Sequence, residues 1–359
     1  MSDSKKTAWN GSRISRRRML SYGLAGMAGI AGGLLPDLAC AQPSMRYSSW
    51  QTICIGRYLV DVPTGVQLKY FYLINNEKLE KMSGTAEDAE RMWNDKIREL
   101  QSTQHKIKGT SYIQSIPLPN GGMLVQGWMV DFNIENSNVF LYIPVTSRGK
   151  SFVYTYSARV HSSDAQKALP NLIAFASSFR PLDEGVIPKE EGLCLEDVIL
   201  VNLPESFVER VAVNFEDPYA KNLFLAFSTR QILRPFPWMS EEQPRLAAEA
   251  CEALEGRKKC DQLRFGKHPV GPIQAEELCV AGTTYDGRHR TYSFQWGNPG
   301  VPRSKTSPRL IADLIYTGVP LQYSTAPTPF STDAEALAVW DRFVNSIRIR
   351  PVGEGERHE

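Results

Sequence analysis

The strongest constraint on this chain of 359 residues is an internal repeat, in which residues 54–181 resemble residues 194–351. Both copies open with a cysteine, a short β-branched run and a proline: CIGRYLVDVP at 54–63 and CLEDVILVNLP at 194–204. Both also close alike: FASSFRP at 175–181, and FVNSIR at 343–348 followed by Pro351. Agreement at both ends favours duplication over a chance likeness. A repeat this long indicates two domains, because solenoid units run only about 20–50 residues.

Apolar periodicity predicts the same kind of fold in each copy. Helices are expected after Thr85 and Thr332, each a capping residue with an acidic residue three positions on, and at 164–179 and 243–254. Strands are expected at 57–62, 67–74, 111–116, 123–132, 139–145 and 152–158, and at 198–201, 207–215, 223–229, 262–265, 277–281, 291–296 and 310–316. The fold class is therefore α+β, with two tandem, divergently duplicated domains that are each an antiparallel sheet covered by helices.

Composition along the chain divides it into five segments. We expect a signal peptide at 1–41, an N-terminal domain at 42–182, a polar linker at 183–192, a C-terminal domain at 193–352 and a polar tail at 353–359. Each domain is long enough to bury its own core.

The first segment has the pattern of an export signal. Arg16 and Arg17 precede an uncharged run rich in glycine and alanine, and Ala39-Cys40-Ala41 offers small residues for cleavage. Paired arginines before a weakly apolar core are typical of twin-arginine signals. We therefore expect removal of 1–41 and a mature chain in the periplasm; lipoprotein cleavage before Cys40 is the alternative.

Removing this segment changes the charge balance. It holds six of the 41 basic and two of the 39 acidic residues, so residues 42–359 carry 35 basic and 37 acidic residues. A near-neutral body argues against nucleic acid, which is bound through a clustered basic face. No later segment is long and apolar enough to predict a membrane span.

Five cysteines follow the signal, and an oxidising compartment permits disulfides between them. Cys251 and Cys260 flank a predicted helix end and are the expected pair. Cys194 with Cys279 is the weaker second pair, which would leave Cys54 as a free thiol.

The sequence contains no catalytic signature. It lacks Gly-x-Ser-x-Gly, His-Glu-x-x-His and Cys-x-x-Cys, and its histidines are widely separated. His268 is interpreted as a turn residue, and the acidic pair Glu276-Glu277 as a solvated loop pair. We expect no catalytic residues, no metal ligands and no cofactor.

One apolar loop stands out as a candidate contact with a partner. Phe236, Trp238 and Met239 lie in the apolar, proline-containing loop Pro235–Met239, where no regular element buries them easily. Exposed aromatic residues with a polar rim are typical of protein interfaces. The alternative is that this loop folds back onto its own domain.

Several segments, in order, resemble the periplasmic immunity proteins that protect bacteria from type VI secretion lipase effectors, in the branch paired with the fourth class of those lipases. They are residues 54–63, 276–282, 292–296, 307–318, 333–341 and 346–351. The resemblance implies two α/β domains arranged as a claw. It also implies a protein that is not an enzyme and that grips a secreted phospholipase and blocks its cap.

Two other classes compete with that reading. The chain could be an exported cell-envelope binding module without a toxin partner, or a cofactor-containing envelope enzyme, since twin-arginine export serves proteins folded around cofactors. Bound metal or visible absorbance in the purified protein would favour the enzyme.

Overall fold

The computed structural model describes residues 47–353, apart from 184, 219, 221, 255–259, 285, 286, 288 and 318–328. The predicted signal peptide with Arg16 and Arg17, and most of the predicted tail, lie outside these residues. None of the described helices is long and apolar enough to cross a bilayer.

The first half of the described chain contains eleven strands and two helices. The strands are β1 Trp50–Ile55, β2 Tyr58–Pro63, β3 Gln67–Ile74, β4 Glu77–Ser83, β5 Gln104–His105, β6 Gly109–Thr110, β7 Tyr112–Pro117, β8 Met123–Val130, β9 Asn133–Ser147, β10 Lys150–His161 and β11 Phe179–Pro181. The helices are α1 Ala86–Ser102 and α2 Ala165–Ser177, the second preceded by a 3-10 turn at Ser162–Asp164. Thr85 and Asp88 form the predicted capping box at the start of α1.

The second half contains nine described strands and two described helices. The strands are β12 Leu193–Cys194, β13 Val198–Leu200, β14 Glu209–Glu216, β15 Leu223–Arg230, β16 Cys260–Lys267, β17 Glu276–Thr283, β18 Arg290–Asn298, β19 Arg309–Tyr316 and β20 Arg348–Ile349. The helices are α3 Gln243–Ala253 and α4 Asp333–Asn345, with a 3-10 turn at Met239–Glu241 before α3.

Twelve of these strands form one antiparallel sheet that runs through both halves. The first half contributes β3-β4-β10-β9-β8-β7, and the second contributes β14-β15-β19-β18-β17-β16 in the same relative order. This shared order supports the duplication read from the sequence. The two sets join where β3 pairs with β14, with Ile74 opposite Glu209 and Gln67 opposite Glu216.

The prediction of a separate sheet for each domain is therefore wrong. In separate sheets β3 and β14 would both be edge strands, each with a row of unpaired backbone groups. Pairing them satisfies those groups, and the largest cluster of buried side chains accordingly draws residues from both halves.

The ends of the two copies are also exchanged. The opening strand β2 of the first copy pairs with the closing strand β20 of the second, and the closing strand β11 of the first pairs with β13 of the second. The amide nitrogens of Gly56 and Cys194 each donate to the other residue's carbonyl oxygen, at 2.9 and 2.7 Å. Each half thus completes the small sheet of the other.

Disulfides follow this arrangement. The predicted bond between Cys251 and Cys260 is formed. The predicted Cys194–Cys279 pair is wrong: Cys194 is bonded to Cys54, and Cys279 is a buried free thiol. The equivalent opening cysteines meet because the openings of the two copies lie side by side, whereas Cys279 lies inside the main core on β17.

The helices occupy opposite faces of the large sheet. On the inner face, Phe175 of α2 packs against Tyr156 and Phe207, and Trp340 of α4 packs against Phe294. On the outer face, α1 packs over β8 and β9 through a cluster around Leu100, and α3 packs over β17 and β18. The outer-face helices therefore lie over the two ends of the sheet and leave its middle strands between them.

Candidate partner-binding surface

The histidine and carboxylate groups named from the sequence form a tightly packed support for α4. His268 Nδ1 and Trp340 Nε1 lie 2.8 and 3.1 Å from Glu277 Oε2, and His268 Nε2 lies 3.0 Å from Asn345 Oδ1. The interpretation of Glu276-Glu277 as a solvated loop pair is wrong: both begin strand β17 and are buried. Glu276 accepts hydrogen bonds from the amide and hydroxyl of Ser240, both at 2.8 Å.

Protonation in this cluster follows from the same contacts. The hydrogen bond with Glu277 raises the pKa of His268 above its usual value despite partial burial. Burial alone would raise the pKa of Glu277, but the bonds from His268 and Trp340 outweigh it and hold that pKa below its usual value. Burial raises the pKa of the Cys279 thiol, so this group is not a thiolate nucleophile. Both ring nitrogens of His268 have partners, and the cluster serves packing.

No group of three or more histidine, cysteine, aspartate or glutamate residues that could hold a metal occurs in the part of the chain that the structure describes. A cavity of about 10 Å³ lies between β14, β15 and the loops beside them, lined in part by Arg57, Glu209, Gln231 and Lys305. It has room for about one water molecule and none for a substrate.

The middle of the outer sheet face has no covering helix among the described elements. It consists of β4, β3, β14, β15 and β19, and the contacts of α1 and α3 fall mainly on strands to either side. Burial alternates along these strands, so that Ala212, Ala226 and Ser228 point outward while their neighbours are buried. Phe71 on β3 points the same way and is 37% exposed.

The loop predicted to contact a partner lies at one side of this face. Phe236 is 37% exposed, and the guanidinium of Arg309 on β19 lies 4.1 Å from its ring centroid. Trp238 and Met239 are only half-buried, and Met239 starts the turn that Ser240 ties to Glu276. The loop is thus anchored on its own half while the Phe236 ring stays accessible.

A second apolar patch lies in the first half, at the turn between β8 and β9. Phe132 is 65% exposed, and Val130, Ile134 and the neighbouring Ile107 are exposed as well. The amide of Lys106 donates to the carbonyl oxygen of Asp131 at 2.6 Å and holds the two segments together. Sequence reasoning missed this patch because it placed Phe132 at the end of a strand; the run of apolar residues across a hairpin turn is the signal that would have found it.

Both halves of the chain match models of the same protein family. Residues 51–178 match the model of the Tle cognate immunity protein 4 N-terminal domain, and residues 186–352 match that of the C-terminal domain. No curated protein sequence matches the chain.

Solved structures agree over nearly the same length. The apo structure of immunity protein TplEi of the type VI secretion system of Pseudomonas aeruginosa matches with a TM-score of 0.74 and 27% identity, over 86% of this chain and 100% of that one. The chain in a structure of a Tle4–Tli4 complex matches with a TM-score of 0.75 and 26% identity, over 86% and 99%. Because both halves match their models in order, the chain belongs to the Tle cognate immunity protein 4 family, the immunity proteins of type VI secretion lipase effectors.

Proposed function

We propose that this chain binds and inhibits a type VI secretion phospholipase effector in the periplasm, and that it is not an enzyme. The observation that carries the proposal is the match of both halves to an immunity family, together with a related chain in a structure described as a Tle4–Tli4 complex. Two disulfides and an export-like leader support the periplasm as the place of action.

We also propose how inhibition works. The two halves, at 42–182 and 193–352 with a link at 183–192, act as a claw around the lipase and hold its cap closed. A lipase must open its cap to admit acyl chains, and a ligand shifts that equilibrium only by its differential affinity for the two forms. Shifting it from mostly open to mostly closed takes a preference of about 10⁴-fold. Neutralising a toxin also calls for binding in about the nanomolar range, which suggests an interface above roughly 1,600 Å².

Phe236 is the proposed apolar anchor of this interface, with Trp238 and Met239 beside it. Phe236→Ala should weaken lipase binding by about tenfold or more without changing the unfolding temperature, because the ring is exposed and supports no core. Phe265→Ala is the matched control, since that ring is 36% exposed but lies on the edge strand β16. If the Phe236→Ala variant and the wild type bound the lipase with equal affinity, Phe236 would not be part of the interface.

A lipase lacking its cap tests the mechanism directly. Residues 42–359 should abolish hydrolysis of a short soluble ester by the intact lipase. A cap-deleted lipase that still hydrolyses this ester should escape inhibition. Equal inhibition of both enzymes would show that the cap is not the target.

A further inference from the structure

Three arginines form a ladder across three neighbouring strands on the uncovered outer face. Arg210 on β14 lies opposite Arg230 on β15, and Arg230 lies opposite Arg309 on β19. Their neighbours Val211, Thr229 and Leu310 are buried, which places the three guanidinium groups on the outward side. Adjacent strands are about 4.8 Å apart, so the ladder spans about 10 Å.

None of the three guanidinium groups has a carboxylate within ion-pair distance among the described residues. Some other arginines are ion-paired: Arg264 pairs with Asp341 at 2.6 Å, and Arg290 pairs with Asp261 and Asp333 at 2.9 and 2.8 Å. The fields of Asp313 and Glu242 act to raise the pKa of Arg309, but burial and the neighbouring Arg230 outweigh them. The ladder is therefore a row of three positive charges on adjacent strands without an ion-paired carboxylate among the described residues.

An exposed aromatic ring lies at each end of the row. Arg210 lies 5.9 Å from the ring centroid of Phe71, and Arg309 lies 4.1 Å from that of Phe236. Burial and the neighbouring arginine hold the pKa of Arg210, and likewise that of Arg309, below the usual arginine range. Like charges directly opposite each other on paired strands destabilise a sheet, so the free protein carries a cost that an anionic ligand would relieve.

We propose that the arginine ladder binds an acidic segment of a protein partner, whose carboxylates bridge Arg210, Arg230 and Arg309 while apolar side chains pack on Phe71 and Phe236. The partner is the lipase effector, so this identification rests on the proposed function. Guanidinium groups bind carboxylates through two parallel hydrogen bonds, which suits a row of arginines better than a row of lysines.

A polypeptide suits this site better than a lipid surface. Helices α1 and α3 pack on the same face to either side, and a helix with its side chains is about 10 Å thick. A flat bilayer would meet these helices before it reached the strands, whereas a loop or helix of a partner can enter between them. Phospholipid headgroups are therefore not the proposed ligand, and the experiment tests them as the alternative.

The first experiment uses residues 42–359 and poly-L-glutamate as the probe, at low salt. Wild type should bind, and Arg230→Gln should bind about tenfold more weakly, because a neutral amide cannot replace the charged hydrogen bonds of a guanidinium. Lys167→Gln, an equal charge change at an exposed residue of α2 on the opposite face, should bind like wild type. The proposal would be overturned if Arg230→Gln bound poly-L-glutamate as well as wild type does. It would also be overturned if Arg230→Gln lost binding only to phosphatidylglycerol vesicles and kept binding to poly-L-glutamate.

Stability of the free protein separates a binding role from a structural one. Arg230 is exposed and has no ring contact, so Arg230→Gln should leave the unfolding temperature unchanged or raise it. Arg230→Glu would place a carboxylate between Arg210 and Arg309 and should raise it while abolishing binding of the probe. A lower unfolding temperature in both variants would show that the ladder stabilises the fold, and would contradict the proposal.

The lipase supplies the last readout. Arg230→Gln should bind it more weakly and with a smaller dependence of the association rate on salt than wild type. Wild type that binds poly-L-glutamate through Arg230 but binds no neighbouring lipase would refute the proposed function and keep the ladder. Wild type and Arg230→Gln that bind the lipase equally well would refute the ladder and keep the proposed function.

Discussion

At the scale of the residue, buried charges hold the junction of the two halves. Arg57, before β2, donates to Glu209 Oε1 on β14 at 2.9 Å, and Lys305 Nζ lies 3.8 Å from the same oxygen. The side chain of Glu209 is 7% exposed and that of Arg57 17%. A pair this deeply buried costs most when only one partner is removed, because the remaining charge stays desolvated.

Glu209→Gln should therefore lower the free energy of unfolding by about 3 kcal/mol. Glu80→Gln is the control, because its pair with Lys78 is solvent-exposed and should contribute less than about 1 kcal/mol. Urea unfolding of the two variants gives the comparison. Equal effects would contradict the assignment of Glu209 as the buried charge of this junction.

His268 makes stability depend on pH. Glu277 raises the pKa of His268 in the folded state. The stability that His268 contributes is therefore fully present below its unfolded pKa of about 6.5, and it is lost as pH rises through the folded pKa. Arg264 and Asp341 also face this cluster and pair with each other at 2.6 Å. The free energy of unfolding should fall as pH rises above about 6.5. His268→Gln should flatten that fall; an unchanged pH profile in this variant would contradict the linkage.

At the scale of the element, local patterns predicted most helices and strands but missed several strands, among them β4. Its sequence EKLEKMS carries four charged residues, which are rare in strands. The structure pairs it with both β3 and β10, and Lys81 at its middle reaches Glu196 of the second half at 2.8 Å. The turn before it uses Asn75 and Asn76 with φ of 52° and 65°, a hairpin geometry that asparagine tolerates. Pairing with β10 and the contact with Glu196, both distant in sequence, stabilise this strand, so periodicity alone could not predict it.

The two disulfides should differ in their effect on stability. The chain-entropy model gives about 5 kcal/mol for the Cys54–Cys194 bond and about 3 kcal/mol for Cys251–Cys260, whose sequence separations are 140 and 9. Replacing each pair by alanine and measuring the free energy of unfolding tests this order. A larger loss for the Cys251/Cys260 variant would contradict the view that the long bond constrains the junction.

At the scale of the whole molecule, the sequence indicated two copies but did not indicate that they share one sheet. The matched openings and endings predicted duplication, yet nothing local indicates that β2 pairs with β20 or that β3 pairs with β14. The same holds for the proposed binding surface: the sequence offered Phe236 as a candidate contact, whereas the arginine ladder exists only in the register of three strands. Contacts between the copies are long-range, and a single sequence carries no signal for them.

Because the two halves share one sheet, we expect that neither half folds alone. Residues 42–182 by themselves would lack the partners of β2, β3 and Cys54, and residues 193–352 would lack those of β14 and β20. Each fragment should show no cooperative urea transition, and mixing the two fragments under oxidising conditions should restore one. A cooperative transition in either isolated fragment would contradict an interdependent fold.

The proposed neutralisation of a lipase by binding can be measured directly. The cognate type VI secretion phospholipase is titrated with purified residues 42–359 while its hydrolysis of phospholipid is followed. Lipase activity should fall linearly and be lost near one equivalent, as tight binding in about the nanomolar range requires. Full lipase activity in the presence of a large excess of the chain would show that the protein does not neutralise this lipase.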